Sequence, residues 1–123
     1  MIDSSTRDLG RRGEEIALRY LARKGYQILE RDYRCRYGEI DLIARDGDTL
    51  VFVEVKSRKS DIFGMPEESV GRAKQRKIST VALHYLTEKT LHGRRARFDV
   101  VSIVTTSGEE KITHIPDAFD FVR

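Results

Sequence analysis

Residues 38–58 read GEIDLIARDGDTLVFVEVKSR, and this stretch decides the fold. An apolar run over residues 40–44 meets the turn signal Asp46-Gly47-Asp48, and a β-branched run over residues 50–55 follows. Two such runs around an Asp-Gly turn predict a β-hairpin. Three ionisable residues stand where a buried hairpin resists them: Asp41 inside the first strand, Glu54 and Lys56 at the far end of the second. Side chains alternate along a strand, so Glu54 and Lys56 share one face, while Val51, Val53 and Val55 take the other. Closure near Gly47 brings Asp41 and Glu54 to similar height on adjacent strands. Like charges at short range repel in a low-dielectric site, so the pair calls for a bound cation. That reading is a divalent-metal site on a twisted hairpin. The plainer one pairs Glu54 with Lys56 as an ion pair and leaves Asp41 in water.

The order of residues is more specific than an isolated carboxylate. Asp41, followed a hairpin later by Glu54-Val55-Lys56, resembles the core motif of the restriction-endonuclease-like, or PD-(D/E)xK, nuclease superfamily. The run Glu54-Val55-Lys56-Ser57-Arg58-Lys59 is similar to archaeal Holliday-junction resolvases. The whole chain, from Gly10-Arg11-Arg12-Gly13-Glu14 to Ala118-Phe119, resembles the bacterial YraN family. Ile40 stands where the superfamily's name expects a proline, a position that varies. The resemblance implies that the Val55 carbonyl is a third metal ligand. It also implies that Glu14, on the first helix, joins the site to bind a second metal or hold a water.

Composition sets the outer bounds. A chain of 123 residues is the size of one domain, here residues 1–123, and can bury a core. With 39% hydrophobic and 35% charged residues it reads as a globular protein without a membrane span. No signal-peptide layout opens the sequence, so the expected compartment is the cytoplasm. The single cysteine, Cys35, excludes an internal disulfide and a cysteine-only zinc site. A net charge of +3 and a basic pI near 9.1 favour an anionic partner. Basic runs at residues 7–12, 31–36, 56–59, 72–77 and 94–97 flank the carboxylate patch, which suits a phosphodiester better than a small acid. Each run alone could equally be a solvated face.

Along the chain, Asp8 is a candidate cap for a helix over residues 8–24, with Leu9, Ile16, Ala17, Tyr20 and Leu21 on its buried face. Residues 26–36 read as a strand nearer a sheet edge, and residues 57–66 as a polar loop carrying Arg58 and Lys59. A second helix is expected over residues 67–89, with Val70, Ala73, Ile78, Val81, Ala82, Tyr85 and Leu86 as its apolar stripe. Its basic first half contains Lys74, Gln75 and Arg76; Lys74 and Gln75 match the family pattern as phosphate contacts. His84 and His92 have no partner at a ligand spacing. Residues 97–105 alternate as a buried strand, residues 111–115 as a short last one, and residues 118–122 cover a core edge. The fold class is therefore α/β. Its order, αβββαβ with a short extra strand, is the core topology of the nuclease superfamily, a central mixed β-sheet flanked by helices.

These expectations converge on a Mg2+- or Mn2+-dependent endonuclease hydrolysing DNA, with RNA left open, on branched or structured forms. Asp41 and Glu54 suit magnesium, which takes one or two carboxylates besides water and phosphate oxygens. Lys56 would orient the attacking water or stabilise developing charge. The alternative is a catalytically silent nucleic-acid-binding accessory protein in recombination, repair or DNA uptake. A homodimer matches both the resolvases and the general frequency of two-fold assemblies.

Overall fold

A computed structural model describes residues 4–59 and 70–123, with residues 4–9 described by backbone alone. The elements run α1 (Ser4–Arg23), β1 (Gln27–Cys35), β2 (Gly38–Asp46), β3 (Thr49–Lys59), α2 (Arg72–Glu88), β4 (Ala96–Thr106) and β5 (Glu109–Phe119). The five strands form one sheet in sequence order. All neighbours are antiparallel except β3 and β4, which run parallel across the α2 crossover. This is a mixed α/β fold in the order αβββαββ, consistent with a restriction-endonuclease-like core.

The central hairpin forms as its sequence dictates. Asp46 pairs with Thr49, which leaves Gly47 and Asp48 as a two-residue turn. Both faces of β3 are apolar up to Val53, and each is covered by one helix. Ala17 and Leu21 of α1 pack on Leu42, Ala44, Val51, Val53, Val101 and Ile103. Ile78, Val81, Ala82 and Tyr85 of α2 pack on Ile40, Ile43, Phe52, Phe98 and Val100. Phe52 and Phe98 are 1% exposed, and burying such a side chain contributes about 2–3 kcal/mol. The C-terminal residues close the α2 side: Phe119 stacks on Phe98 at 4.7 Å, and the Val122 N–H donates to Ser79 Oγ. The expected cover over the core edge is present.

α1 lies close on the sheet because of one glycine. A Cβ built at Gly13 would overlap Ser57 Oγ, so only glycine lets α1 meet β3 there. The contact leaves Ser57 Oγ buried without a hydrogen-bond partner among the described residues. Glu14 follows Gly13 and is thereby held against the far half of β3.

Four expectations change. Helix α1 begins at Ser4, so Asp8 lies within it and is not its cap. Ser57, Arg58 and Lys59 belong to β3, because pairing with β4 continues to Lys59 opposite Thr105 and overrides their polar, loop-like composition. Helix α2 begins at Arg72, after Gly71 in extended conformation (φ −62°, ψ 157°); a glycine is poor in a helix interior. Ala73 therefore falls on the exposed face and not in the apolar stripe. The last strand spans eleven residues, since β4 offers its whole edge for pairing. Residues 60–66 of the expected loop and 67–69 of the expected helix lie outside the described residues.

Candidate active site

The site lies where the sheet comes apart. Strands β2 and β3 pair from Asp46–Thr49 up to Leu42–Val53, and the register ends there. At the next position Asp41 Oδ2 accepts the Val55 N–H at 2.8 Å. A side-chain oxygen has taken the place of a backbone carbonyl. Ile40 packs toward α2 and Leu42 toward α1, although strict alternation would put them on one face. Strand β1 makes the same change: Arg31 reaches Glu15 of α1, while Tyr33 packs edge-on to Tyr85 of α2. Between them is Asp32, opposite Asp41 in the register, with φ 51°. Aspartate tolerates this left-handed conformation better than most residues. The irregularity turns the Asp41 carboxyl into the seam between β2 and β3. A strand residue directs its N–H and C=O to the same neighbour, so the Val55 carbonyl faces that seam too.

Glu54 stands beside it on the α2 face with its side chain 14% exposed. Its carboxyl is pushed up to about 7, chiefly by burial and next by the Asp41 charge; Lys74 and Lys56 act the other way. Burial also raises Asp41, against the stabilising Val55 N–H and Lys74. Glu14, on α1, is raised by burial and then by Asp41. Asp41 thus sits electrically between a glutamate on each side of the sheet. Lys74 Nζ lies 3.5 Å from Glu54 Oε1 and bridges α2 to the site. Lys56, on the Glu54 face, is near enough to lower its pKa.

Other expected residues are distributed around this centre. Arg58 extends the β3 face that carries Glu54 and Lys56. Lys59 ends β3, exposed. Gln75 donates through Nε2 to the Val70 carbonyl at 2.7 Å, pinning the entry to α2. Arg76 is exposed and lines a groove with Lys74 and Lys77. The sequence reading missed Asp32 and Glu39, whose charges reach Asp41 and Glu14. A strand-interior aspartate beside an alternation break, as in ERDY, was the available signal for Asp32. It also missed Asp99 and His114, a buried pair on the α1 face; the charge inside FDVV was their signal.

Comparison with known proteins assigns the chain to a family. The profile of the uncharacterised protein family UPF0102 matches residues 13–103. A UPF0102 protein of Syntrophus aciditrophicus is 52% identical over 122 residues, covering 98% of this chain and 96% of that protein. UPF0102 proteins of Rhodococcus opacus (49% over 112 residues, 90% and 95% covered) and Persephonella marina (48% over 111 residues, 90% and 92% covered) are similar as well. The chain belongs to the UPF0102 (YraN) family. The UPF0102 match opens at Gly13, where α1 meets β3, and encloses Glu14, Asp41, Glu54, Lys56 and Lys74. Among the described residues of this UPF0102 chain, no helix is long and apolar enough to cross a membrane.

The donor set bears on a divalent cation in two ways. Two sheltered carboxylates, one raising the pKa of the other, with a main-chain carbonyl on the same seam, have the chemistry that magnesium or manganese accepts. Among the described residues, however, no three of His, Cys, Asp and Glu gather into a metal-binding group. Asp41 and Glu54 are the candidate donors that the seam brings together, with Glu14 coupled to Asp41 by charge.

Proposed function

We propose that this UPF0102 protein is a divalent-metal-dependent endonuclease acting on DNA. One observation carries the reading: Asp41 and Glu54 are adjacent, sheltered and both raised by burial, Glu54 also by the Asp41 charge, at a seam where the sheet's own hydrogen bonding stops. Such strain is retained where it serves a task. Asp41, Glu54 and the Val55 carbonyl would hold the cation. A bound Mg2+ or Mn2+ lowers the pKa of a water and neutralises charge on the scissile phosphate.

The chain's own residues supply the remainder. The Val55 N–H fixes the Asp41 carboxylate so that its orientation costs nothing at the moment of reaction. Lys56 shares the Glu54 face and would place its ammonium against the developing negative charge. Lys74, now on Glu54, would turn to a phosphate oxygen once Glu54 is engaged. Arg58, Lys59 and Arg76 would bind flanking phosphates. Glu14 would hold a water on the α1 side of Asp41.

The test is nicking of labelled linear, flapped, single-stranded and four-way DNA in manganese, with binding followed in calcium. Lys56→Ala should lose about a hundredfold or more in rate yet still bind Mn2+. Glu54→Ala should lose metal binding and cleavage together. A wild type that binds but cuts no substrate would leave a silent nucleic-acid-binding protein as the better reading.

A further inference from the structure

The β1–β2 turn carries an aromatic group that hydrolysis at Asp41 and Glu54 does not require. Cys35 pairs with Gly38, so Arg36 and Tyr37 form the tip. Tyr37 is 40% exposed. Its ring is nevertheless held: the Arg36 guanidinium lies 4.8 Å from the centroid and donates to the Tyr37 hydroxyl at 2.6 Å. His84 of α2 meets the ring edge at 5.7 Å. At the root of the turn Gly38 lies against Lys77 and Val81, where a Cβ would come within 3.3 Å of Val81.

Tyr37 opens onto a groove of about 540 Å³ lined by Ala73, Lys74, Arg76, Lys77 and Thr80. Among the described residues, three cations and no carboxylate line it. A second groove, of about 380 Å³, shares Lys74 and Lys77 with the first and is walled by Arg34 and Glu39. Arg34 is already paired with Asp32 and Glu39, so it adds little net charge. Lys74 joins both grooves to Glu54. The path therefore runs from a fixed aromatic ring, past clustered cations, to the carboxylate seam.

A polyanion satisfies the cations, but a phosphate could use only the Tyr37 hydroxyl, which Arg36 already engages, and has no use for the ring. A nucleic-acid base does, and since stacked neighbours cover the faces of bases inside a duplex, an unpaired base offers its face most freely. We propose that Tyr37 stacks an unpaired base while Lys74, Arg76 and Lys77 hold the phosphates of the same strand. The substrate is then a nucleic acid with a single-stranded segment next to the cleaved bond. This deepens the endonuclease reading and rests on it for what lies at the end of the path. Tyr37 lies four positions before Asp41, about 14 Å along the strand. That is the rise of roughly four stacked nucleotides, which places the stacked base within that distance of the scissile phosphate.

The experiment measures fluorescence anisotropy in EDTA with a blunt duplex and the same duplex bearing a single-stranded tail. Wild type should prefer the tailed DNA, and Tyr37→Ala should weaken tailed binding about tenfold while moving blunt binding less than twofold. Tyr37→Phe should keep the preference. A 2-aminopurine placed in the tail should be quenched by wild type and Tyr37→Phe, but not by Tyr37→Ala. Absence of any tail preference, or equal loss on both DNAs in Tyr37→Ala, would overturn the proposal. Cleavage in manganese is scored separately. Tail-dependent stacking without cleavage refutes the endonuclease alone; cleavage without tail dependence refutes the stacking alone.

Discussion

Asp41 and Asp99 are built by the same local device and end in opposite electrical states. Each lies on a strand whose neighbour carries an aspartate in left-handed conformation, Asp32 on β1 and Asp117 on β5, both at φ 51°. Each accepts a backbone N–H across a broken ladder, from Val55 at 2.8 Å and from Asp117 at 3.0 Å. Beyond this they differ. Asp99 is fully buried and also takes His114 Nε2 at 2.8 Å and Arg97 Nε at 3.0 Å. Burial alone would raise it, but His114, Arg97 and the Asp117 N–H together bring it below its usual value. Asp41 has Lys74 at a distance and two glutamates close enough to couple, and it is raised. One cluster is complete. In the other, burial and the charges of Glu39 and Asp32 outweigh Lys74 and the Val55 N–H, as the proposed cation site would require.

The largest expected effect falls on the complete cluster. Asp99→Ala strips Arg97 and His114 of their shared partner and leaves the Asp117 N–H unanswered. Breaking a buried ion pair from one side typically costs about 3–5 kcal/mol. Urea unfolding at neutral pH should show a loss of that order. Since Asp99 is lowered, its contribution is present above the ordinary carboxylate pKa and fades as pH falls through the depressed value. A loss under about 1 kcal/mol would mean that the network contributes no more than surface pairs do.

The hairpin and the proximity of Asp41 to Glu54 were legible because both depend on counting from Gly47. The seam was not, since it needs the turn in β1 at Asp32, and no local pattern announces that a strand changes face. Polar Ser57-Arg58-Lys59 read as a loop because composition is local, while pairing with β4 is not. Asp99 went unseen for a related reason: in RFDVVSIVT a charge among apolar residues fits the polar beat of an alternating strand. Only the fold reveals that both faces of β4 are covered at that level. The grooves beside α2 depended on where the helix starts, which Gly71 shifts by several residues.

The second effect is smaller and of opposite sign. Glu54 is raised to about 7, so the folded protein resists its ionisation. The sign follows from proton binding. Between the unfolded value near 4.5 and about 7 the native state holds the extra proton, and stability at this residue declines as pH rises through that window. Glu54→Gln should therefore stabilise the protein at pH about 8, by roughly 1–3 kcal/mol, and change little at pH about 5. Melting both proteins at the two values tests this. A glutamine variant as unstable at alkaline pH as Asp99→Ala would make Glu54 a structural partner like Asp99, and the contrast would vanish.

The smallest effect on stability, and the sharpest on the contrast, belongs to Lys74. Its side chain is 55% exposed, so the pair with Glu54 is screened and its removal should cost within about 1 kcal/mol. Lys74 nevertheless holds the Glu54 pKa down. Without it the glutamate should ionise only at higher pH. A cation that needs charged Glu54 must then compete with a more tightly held proton. The expected readout is the rise in melting temperature on adding millimolar Mn2+, followed across pH. In wild type that rise should grow as pH passes about 7, by mass action on the folded state, and in Lys74→Ala its midpoint should move to higher pH. Asp99→Asn, if folded, should leave the midpoint in place, because Asp99 faces α1 and Glu54 faces α2. A midpoint unmoved by Lys74→Ala, or moved equally by both variants, would show that Lys74 does not set the charge of the seam.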